Sequence, residues 1–260
     1  MKLLPLALLA STFALGTISP VLAADKPATD PAAIPTVVLV HGAFADGSSW
    51  NKVIPLLQAK GLKAVAVQNP LTSLEDDVAA ANRIIDAQTG PVVLVGHSWA
   101  GTVITQAGGH DKVKALVYVA SFAPALGEAS VDAIQSHPTP PGVAHFIQDA
   151  AGFLTLPPDA IARDFAQDVS AEEASLIAAT QGPVRAANFA QKVTIAAWNS
   201  KPSWYIVAAN DRMIDPQAQR ALAARIGAAT TVLPTSHVPM SSDPAAVAEV
   251  IAAAARSAAK

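Results

Sequence analysis

The stretch Pro91 to Gly101, P-V-V-L-V-G-H-S-W-A-G, constrains this chain more than any other. Val92 to Val95 suit a strand buried on both faces, and Pro91 marks its entrance. Beyond the interruption Gly96-His97-Ser98-Trp99-Ala100, the run T-V-I-T-Q-A reads as helix. A strand that turns sharply into a helix, with a serine at the turn, is the layout of a nucleophile elbow. It lifts the hydroxyl clear of the backbone and aims the helix N-terminus at negative charge developing beside it. That layout suits acyl transfer, although a serine between strand and helix is also an ordinary N-cap, so the rest of the chain must decide. The motif departs from G-x-S-x-G, because Ala100 stands where the last glycine is expected and Gly101 comes one place later. Whether a methyl group fits there depends on how closely the helix packs on the neighbouring strand.

Strand and helix patterns alternate on both sides of this turn. Thr36 to Val40 reads as a buried strand ending in H-G-A-F-A-D-G. This loop lacks both G-x-x-x-x-G-K-[ST] and G-x-G-x-x-G, so an oxyanion loop fits it better than a phosphate cradle. Trp50 to Lys60 reads as a helix stopped by Gly61, Lys63 to Gln68 as a strand, and Ser73 opens a helix with Val78, Ala81, Ile84 and Ile85 on one face. Val113 to Ala120, Ser203 to Ala209 and Ala229 to Leu233 read as further strands, and Asp215-Pro216 and Asp243-Pro244 each start a helix. Such alternation predicts an α/β fold: a mostly parallel sheet with helices on both faces and functional residues at the strands' C-terminal ends. The rhythm stops over residues 124–198, which hold seven prolines and two amphipathic patches, Asp159 to Asp168 and Ala171 to Thr180. A mostly helical cap inserted over the sheet accounts for that segment and leaves 36–123 and 199–260 as the core.

Composition narrows the function classes. Lys+Arg of 17 against Asp+Glu of 20 gives a net charge of -3 with no basic run, which argues against nucleic acid as a partner. The absence of cysteine removes a disulfide, a thiolate nucleophile and lipid attachment at the N-terminus. Met1 to Ala23 reads as a signal peptide, with Lys2, the apolar run Leu3 to Leu15, and Val21-Leu22-Ala23 before the cleavage point; residues 24–35 read as a linker. A periplasmic or secreted protein is expected, with no membrane attachment after cleavage, since the apolar run is shorter than the ~20 residues a span needs.

Three strand ends offer Ser98, Asp211 and His237, in the chain order of the Ser-acid-His triad of this kind of fold, and a fourth supplies His41-Gly42. Through H-G-A-F-A-D-G-S-S-W, G-H-S-W-A-G, N-D-R-M-I and S-H-V-P-M, the sequence resembles the alpha/beta-hydrolase superfamily. Within it, the chain is similar to the branch of esterases and hydroxynitrile lyases that includes plant methyl-ester esterases and bacterial pyrethroid-hydrolase-like enzymes. The resemblance implies an alpha/beta-hydrolase fold and a serine carboxylic ester hydrolase acting on a small-molecule ester. Ser98 would be the nucleophile, His237 the base, Asp211 the acid that sets the imidazole tautomer, and the N–H groups of Ala43 and Trp99 the oxyanion hole. It implies no metal and no cofactor, and the spacing of His110, His137 and His145 gives no metal motif either.

Asp215, directly before Pro216, is better suited to capping a helix than to serving the triad. His41 and His97 are expected to tie loops together. Phe44, Trp99, Phe122 and Val238 are expected to line the substrate pocket, Phe146, Phe153 and Trp198 to face it from the cap, and Trp50 and Trp204 to sit in the core. Val238 also weighs against a hydroxynitrile lyase, since those members of the branch carry a lysine after the catalytic histidine. Ser98 in place of an aspartate weighs against a haloalkane dehalogenase. Perhydrolase or haloperoxidase-like chemistry on the same triad stays open, as does a small-molecule receptor that has kept the triad.

Overall fold

Runs of β-branched residues form the middle of the molecule. Thr36–Val40 (β1) and Val92–His97 (β3) are buried along their whole length, as expected of parallel strands covered on both faces. The computed structural model describes residues 34–259, so the expected signal peptide and most of the expected linker lie outside the described residues. Along the chain, Val53–Ala59 (α1), Lys63–Val67 (β2) and Leu74–Asp86 (α2) separate β1 from β3, and Ala100–Ala107 (α3) leads on to Val113–Val119 (β4). After residues 124–198 come Ser203–Ala208 (β8), Pro216–Arg225 (α7), Ala229–Leu233 (β9), Pro239–Ser242 (α8) and Pro244–Ala258 (α9).

The six core strands form one sheet in the order β2-β1-β3-β4-β8-β9, every pair parallel. The chain moves outward from β1 to β2 and then crosses back to β3, so the direction of winding changes between β1 and β3. A crevice opens outside the strand ends at such a point. Helix α9 packs on β1, β3, β4 and β8 and against α1, while α2 and α3 pack on each other.

Helices α2, α7 and α9 start where the sequence places a cap. Ser73 accepts from Asp76 N at 2.9 Å, Asp215 from Gln217 N at 2.8 Å and Ala218 N at 3.0 Å, and Asp243 from Ala246 N at 3.0 Å. One boundary differs from expectation: Gly47–Trp50 is a 3-10 turn, and α1 begins only at Val53. The Asp46 side chain accepts from Ser48 N and stabilises the tighter turn first.

Between β4 and β8 lies the segment expected to form a cap. It contains Ser130–Ile134 (α4), Pro158–Ala160 (α5) running into a wider π-type turn over Ile161–Phe165, and Ala171–Thr180 (α6). It also contains a small antiparallel sheet of Ile147–Gln148 (β5), Phe153–Thr155 (β6) and Val184–Arg185 (β7), which the sequence pattern did not reveal. Polar bonds tie this segment to the sheet region. Asp168 accepts from Ser236 N and Ser242 Oγ, each at 2.7 Å, and buried Asp164 accepts from Arg212 Nε at 2.7 Å and Arg163 Nε at 2.9 Å. Among the described residues, no helix is long and apolar enough to cross a membrane.

Candidate active site

Backbone strain marks the rim of the sheet. Among the described residues, the non-glycine residues with positive φ are Phe44 (58°), Leu71 (62°), Ser98 (52°) and Ala120 (43°), and they follow the C-terminal ends of β1, β2, β3 and β4 respectively. Such conformations cost on the order of 1–3 kcal/mol each and persist only where surrounding packing enforces them. At Ser98 the enforcement is visible. A Cβ on Gly96 would lie 2.6 Å from Ala100 O, and one on Gly101 would lie 1.8 Å from Ser121 Oγ and 2.0 Å from Phe122 O. The close approach of α3 to the segment after β4 therefore falls at Gly101, and Ala100 is accommodated, fully buried, one place before it. This packing also brings Phe122 to the crevice.

The structure brings Ser98, His237 and Asp211 together. Ser98 Oγ lies 2.8 Å from His237 Nε2, and His237 Nδ1 lies 2.7 Å from Asp211 Oδ2. Because a carboxylate only accepts, Nδ1 carries the proton and Nε2 is left to accept from the serine hydroxyl. Asp211 accepts further from Met213 N at 2.7 Å and Ile214 N at 3.0 Å through Oδ1, and from Gln219 Nε2 at 2.7 Å through Oδ2. Four donors converge on one buried carboxylate, which compensates the loss of water around its charge. Asp215 takes no part and caps α7 instead.

The loop after β1 reaches the same place. A Cβ on Gly42 would meet Ser98 Cβ at 2.8 Å and His97 Nδ1 at 2.9 Å, so only glycine lets the loop lie this close, and Ala43 and Ser98 line one cavity. Neither Ala43 N–H nor Trp99 N–H meets a backbone acceptor among the described residues.

Two further histidines tie these loops. His41 Nε2 accepts from Asn69 N at 3.2 Å while Nδ1 donates to Gly42 O at 2.9 Å; burial lowers its pKa against smaller opposing hydrogen bonds. His97 Nε2 donates to the backbone carbonyl of His237 at 2.7 Å, and its Nδ1 is buried without a partner. Burial first, and then the nearby His237, push His97 well below the ordinary histidine range, so it is neutral.

Above Ser98 and His237 lies a cavity of about 420 Å³. Phe44, Phe122, Phe146, Phe189, Met213 and Ile214 form much of its wall, Gln135, His137 and Thr139 are its other polar side chains, and no Asp, Glu, Lys or Arg among the described residues lines it. Phe44 and Phe146 meet at 5.0 Å between ring centroids, and Phe122 and Phe189 at 6.2 Å.

Several expected wall residues lie elsewhere. Trp99 is fully buried with its indole N–H donating to Asp77 Oδ2 at 2.7 Å, because a buried N–H must find an acceptor. Burial raises the Asp77 pKa, opposed by the bonds from Trp99 and Leu71 N. Val238, at the entrance to α8, lines a separate cavity of about 310 Å³ together with Phe165, whose ring stands edge-on to His237 at 5.1 Å. Trp198 donates to Pro124 O at 2.9 Å, and Phe153 lies under Arg185, so neither faces the site. Trp50 is in the core, whereas Trp204 is only half-buried.

Gln219 was missed by the sequence reading, although a signal exists. It shares the inward face of α7 with buried Ala218, Leu222 and Ala223, and a polar side chain on a buried helix face needs a partner there.

Comparisons agree with this architecture. A probable hydrolase, R7, of a Phoma species is 28% identical over 246 residues, spanning 84% of this chain and 97% of its own length. The crystal structure of a pyrethroid hydrolase from Sphingobium faniae JZ-2 matches with a TM-score of 0.74 at 23% identity, over 86% of this chain and 98% of that one. That of a methylesterase, MES16, from Arabidopsis matches with a TM-score of 0.71 at 20% identity, over 86% and 99%. Residues 37–250 match the alpha/beta hydrolase family itself, to which this chain belongs.

Proposed function

We propose that the protein is a serine esterase that cleaves small to medium apolar carboxylic esters through an acyl-enzyme. The observation that carries this reading is the unbroken relay from Ser98 Oγ through His237 to Asp211 at the floor of an uncharged, aromatic-walled cavity. Ser98 attacks the ester carbonyl as His237 Nε2 takes its proton, and Asp211 holds the imidazolium that results. The oxyanion is met by the N–H groups of Ala43 and Trp99, and collapse expels the alcohol with the proton from His237. Water then repeats the sequence on the acyl-enzyme and releases the acid. Residues 36–123 and 199–260 carry this chemistry in the proposal, and 124–198 select the substrate.

The hydrolase relatives support the reaction class, and the cavity wall supports the neutral, apolar substrate. The proposal includes export: cleavage after Ala23 would give a mature chain beginning at Ala24 in the periplasm or the medium, which N-terminal sequencing of the exported protein checks. The decisive test is a fluorophosphonate probe and a chromogenic ester run on wild type and Ser98→Ala. The probe should label Ser98, and the variant should lose ~10⁴ to 10⁶ in kcat with its fold intact. Labelling at another residue, or a variant that keeps a tenth of the rate, overturns the assignment.

A further inference from the structure

The carboxylate of Asp211 has a partner that no step above uses. Gln219 comes from α7, is fully buried, and donates from Nε2 to Asp211 Oδ2 at 2.7 Å, the same oxygen that accepts from His237 Nδ1. Its amide cannot be turned around. Oε1 accepts from Ala208 N at 2.9 Å, a group that only donates, and Nε2 also donates to Ile214 O at 3.0 Å, a group that only accepts. Gln219 thus bonds the last residue of β8, the carboxylate itself, and the Ile214 carbonyl in the loop whose N–H groups hold the other carboxylate oxygen.

We propose that Gln219 is a positioning residue for the relay: it fixes Asp211 Oδ2 on the line to His237 Nδ1 and moderates the charge that the imidazole meets. This rests on the esterase reading. A carboxylate oxygen that shares its charge with a second donor attracts a neighbouring imidazolium less strongly, so removing that donor should tighten the hold of Asp211 on the charged ring. The other titratable side chains near the pair are His97, whose ring lies 4.8 Å from that of His237, Tyr205 of β8, and His137, which lines the same cavity. Burial pushes His97 well below and Tyr205 above their ordinary ranges, and His137 is common to every variant compared, so a shift of the rising limb of kcat/KM on changing Gln219 reports the Asp211–His237 pair.

The experiment measures kcat, KM and pH profiles on a chromogenic ester for wild type, Gln219→Met, Asp211→Asn and the double variant, with far-UV circular dichroism to confirm folding. Gln219→Met should lower kcat on the order of 10-fold with KM little changed, by analogy with the low end of what losing a partner that orients a metal-bound histidine costs. Its rising limb should move to higher pH. In the Asp211→Asn background the same change should cost almost nothing, because residues that act as a unit are not additive. A merely structural glutamine would cost the same in both backgrounds and leave the limb in place, and that result overturns the proposal. If Gln219→Met does not fold, Gln219→Asn, neutral and one methylene too short to reach Asp211, takes its place; a profile that overlays wild type then overturns the proposal, and a rising limb at higher pH supports it. A slow Asp211→Asn beside an unaffected Gln219 variant rejects the role of Gln219 alone, wild-type turnover by Asp211→Asn rejects Asp211 as the acid of the relay, and a wild-type protein that turns over no ester rejects the esterase reading itself.

Discussion

The floor and the roof of the cavity are built on opposite terms. On the floor, Ser98, His237 and Asp211 are buried and hydrogen-bonded in series, and their positions are set by strand ends of one parallel sheet. On the roof, Phe146, Phe189, Ile134 and Val143 are only half-buried, they come from short turns and helices, and they touch the cavity through apolar faces without directed bonds. Directed bonds in a buried setting define geometry to a fraction of an ångström, whereas apolar contacts define only a volume. Under the proposed function, the difference divides the labour: reaction chemistry belongs to the floor and substrate choice to the roof.

The sharpest way to break the contrast is to remove one floor bond. Asp211→Asn keeps size and shape and cannot act as the anionic acceptor for His237 Nδ1–H, so kcat should fall by up to ~10⁴ for every ester tested, with little change in stability. A loss confined to bulky esters would show that Asp211 governs fit rather than chemistry. The roof should respond the other way. Phe189, 5.4 Å from Trp99 and 6.2 Å from Phe122 between ring centroids, walls the cavity, and Phe189→Ala enlarges it. Relative kcat/KM between a bulky and a short ester should change by about 10- to 100-fold, while kcat on the short ester stays near wild type. Equal losses on both esters would erase the distinction between floor and roof.

The same contrast governs what the sequence disclosed. Strands β1, β3 and β4 are valine-rich runs of five to seven residues, and the ends of β3, β8 and β9 carry serine, aspartate and histidine in a known order, so sheet and floor were both legible. The roof was not. Strands of two or three residues such as β5 and β7 are too short for any periodicity, and a phenylalanine in a 3-10 turn, as at Phe189, shows no preferred face in a linear pattern. Phe44 and Phe122 were readable as wall residues because they follow strands directly. Trp99 misled because the demand of its indole N–H for an acceptor, met by Asp77 far back in sequence, appears only in three dimensions. Val238 misled in the same way: its neighbour His237 points into one cavity and Val238 lines another.

Floor geometry also has a cost that appears in acid. His41 and His97 are buried neutral, so their pKa values are lowered in the folded state while the unfolded chain binds their protons below about 6.5. Stability from this pair is therefore fully present above pH ~6.5 and is lost as pH falls toward the folded values, by at most ~1.4 kcal/mol per pH unit for each histidine. His97→Gln keeps a donor toward the His237 carbonyl and cannot titrate. Urea melts at pH 7.5 and 5.5 should show a smaller acid loss in the variant than in wild type. Parallel losses would mean that His97 does not carry the linkage.

The smallest expected effect tests the floor against its own scaffold, because Asp211 and Asp215 sit in one loop four residues apart and differ only in what they hold. Asp215 Oδ1 accepts from Gln217 N at 2.8 Å and Ala218 N at 3.0 Å, and Pro216 follows at the first helical position, so its carboxylate satisfies two of the N–H groups that α7 leaves without partners. It makes no bond to His237. Asp215→Ala should lower unfolding free energy by ~1 kcal/mol in a denaturant melt, the usual cost of losing an N-cap. Activity should stay within about twofold of wild type, since a stability change of that size leaves a folded protein almost entirely folded. Yet α7 also carries Gln219, so fraying of its first turn has a route to Asp211. If Asp215→Ala slows turnover more than tenfold at full folding, the cap and the relay form one unit, and the boundary between scaffold and floor moves inward to the carboxylate of Asp211 itself.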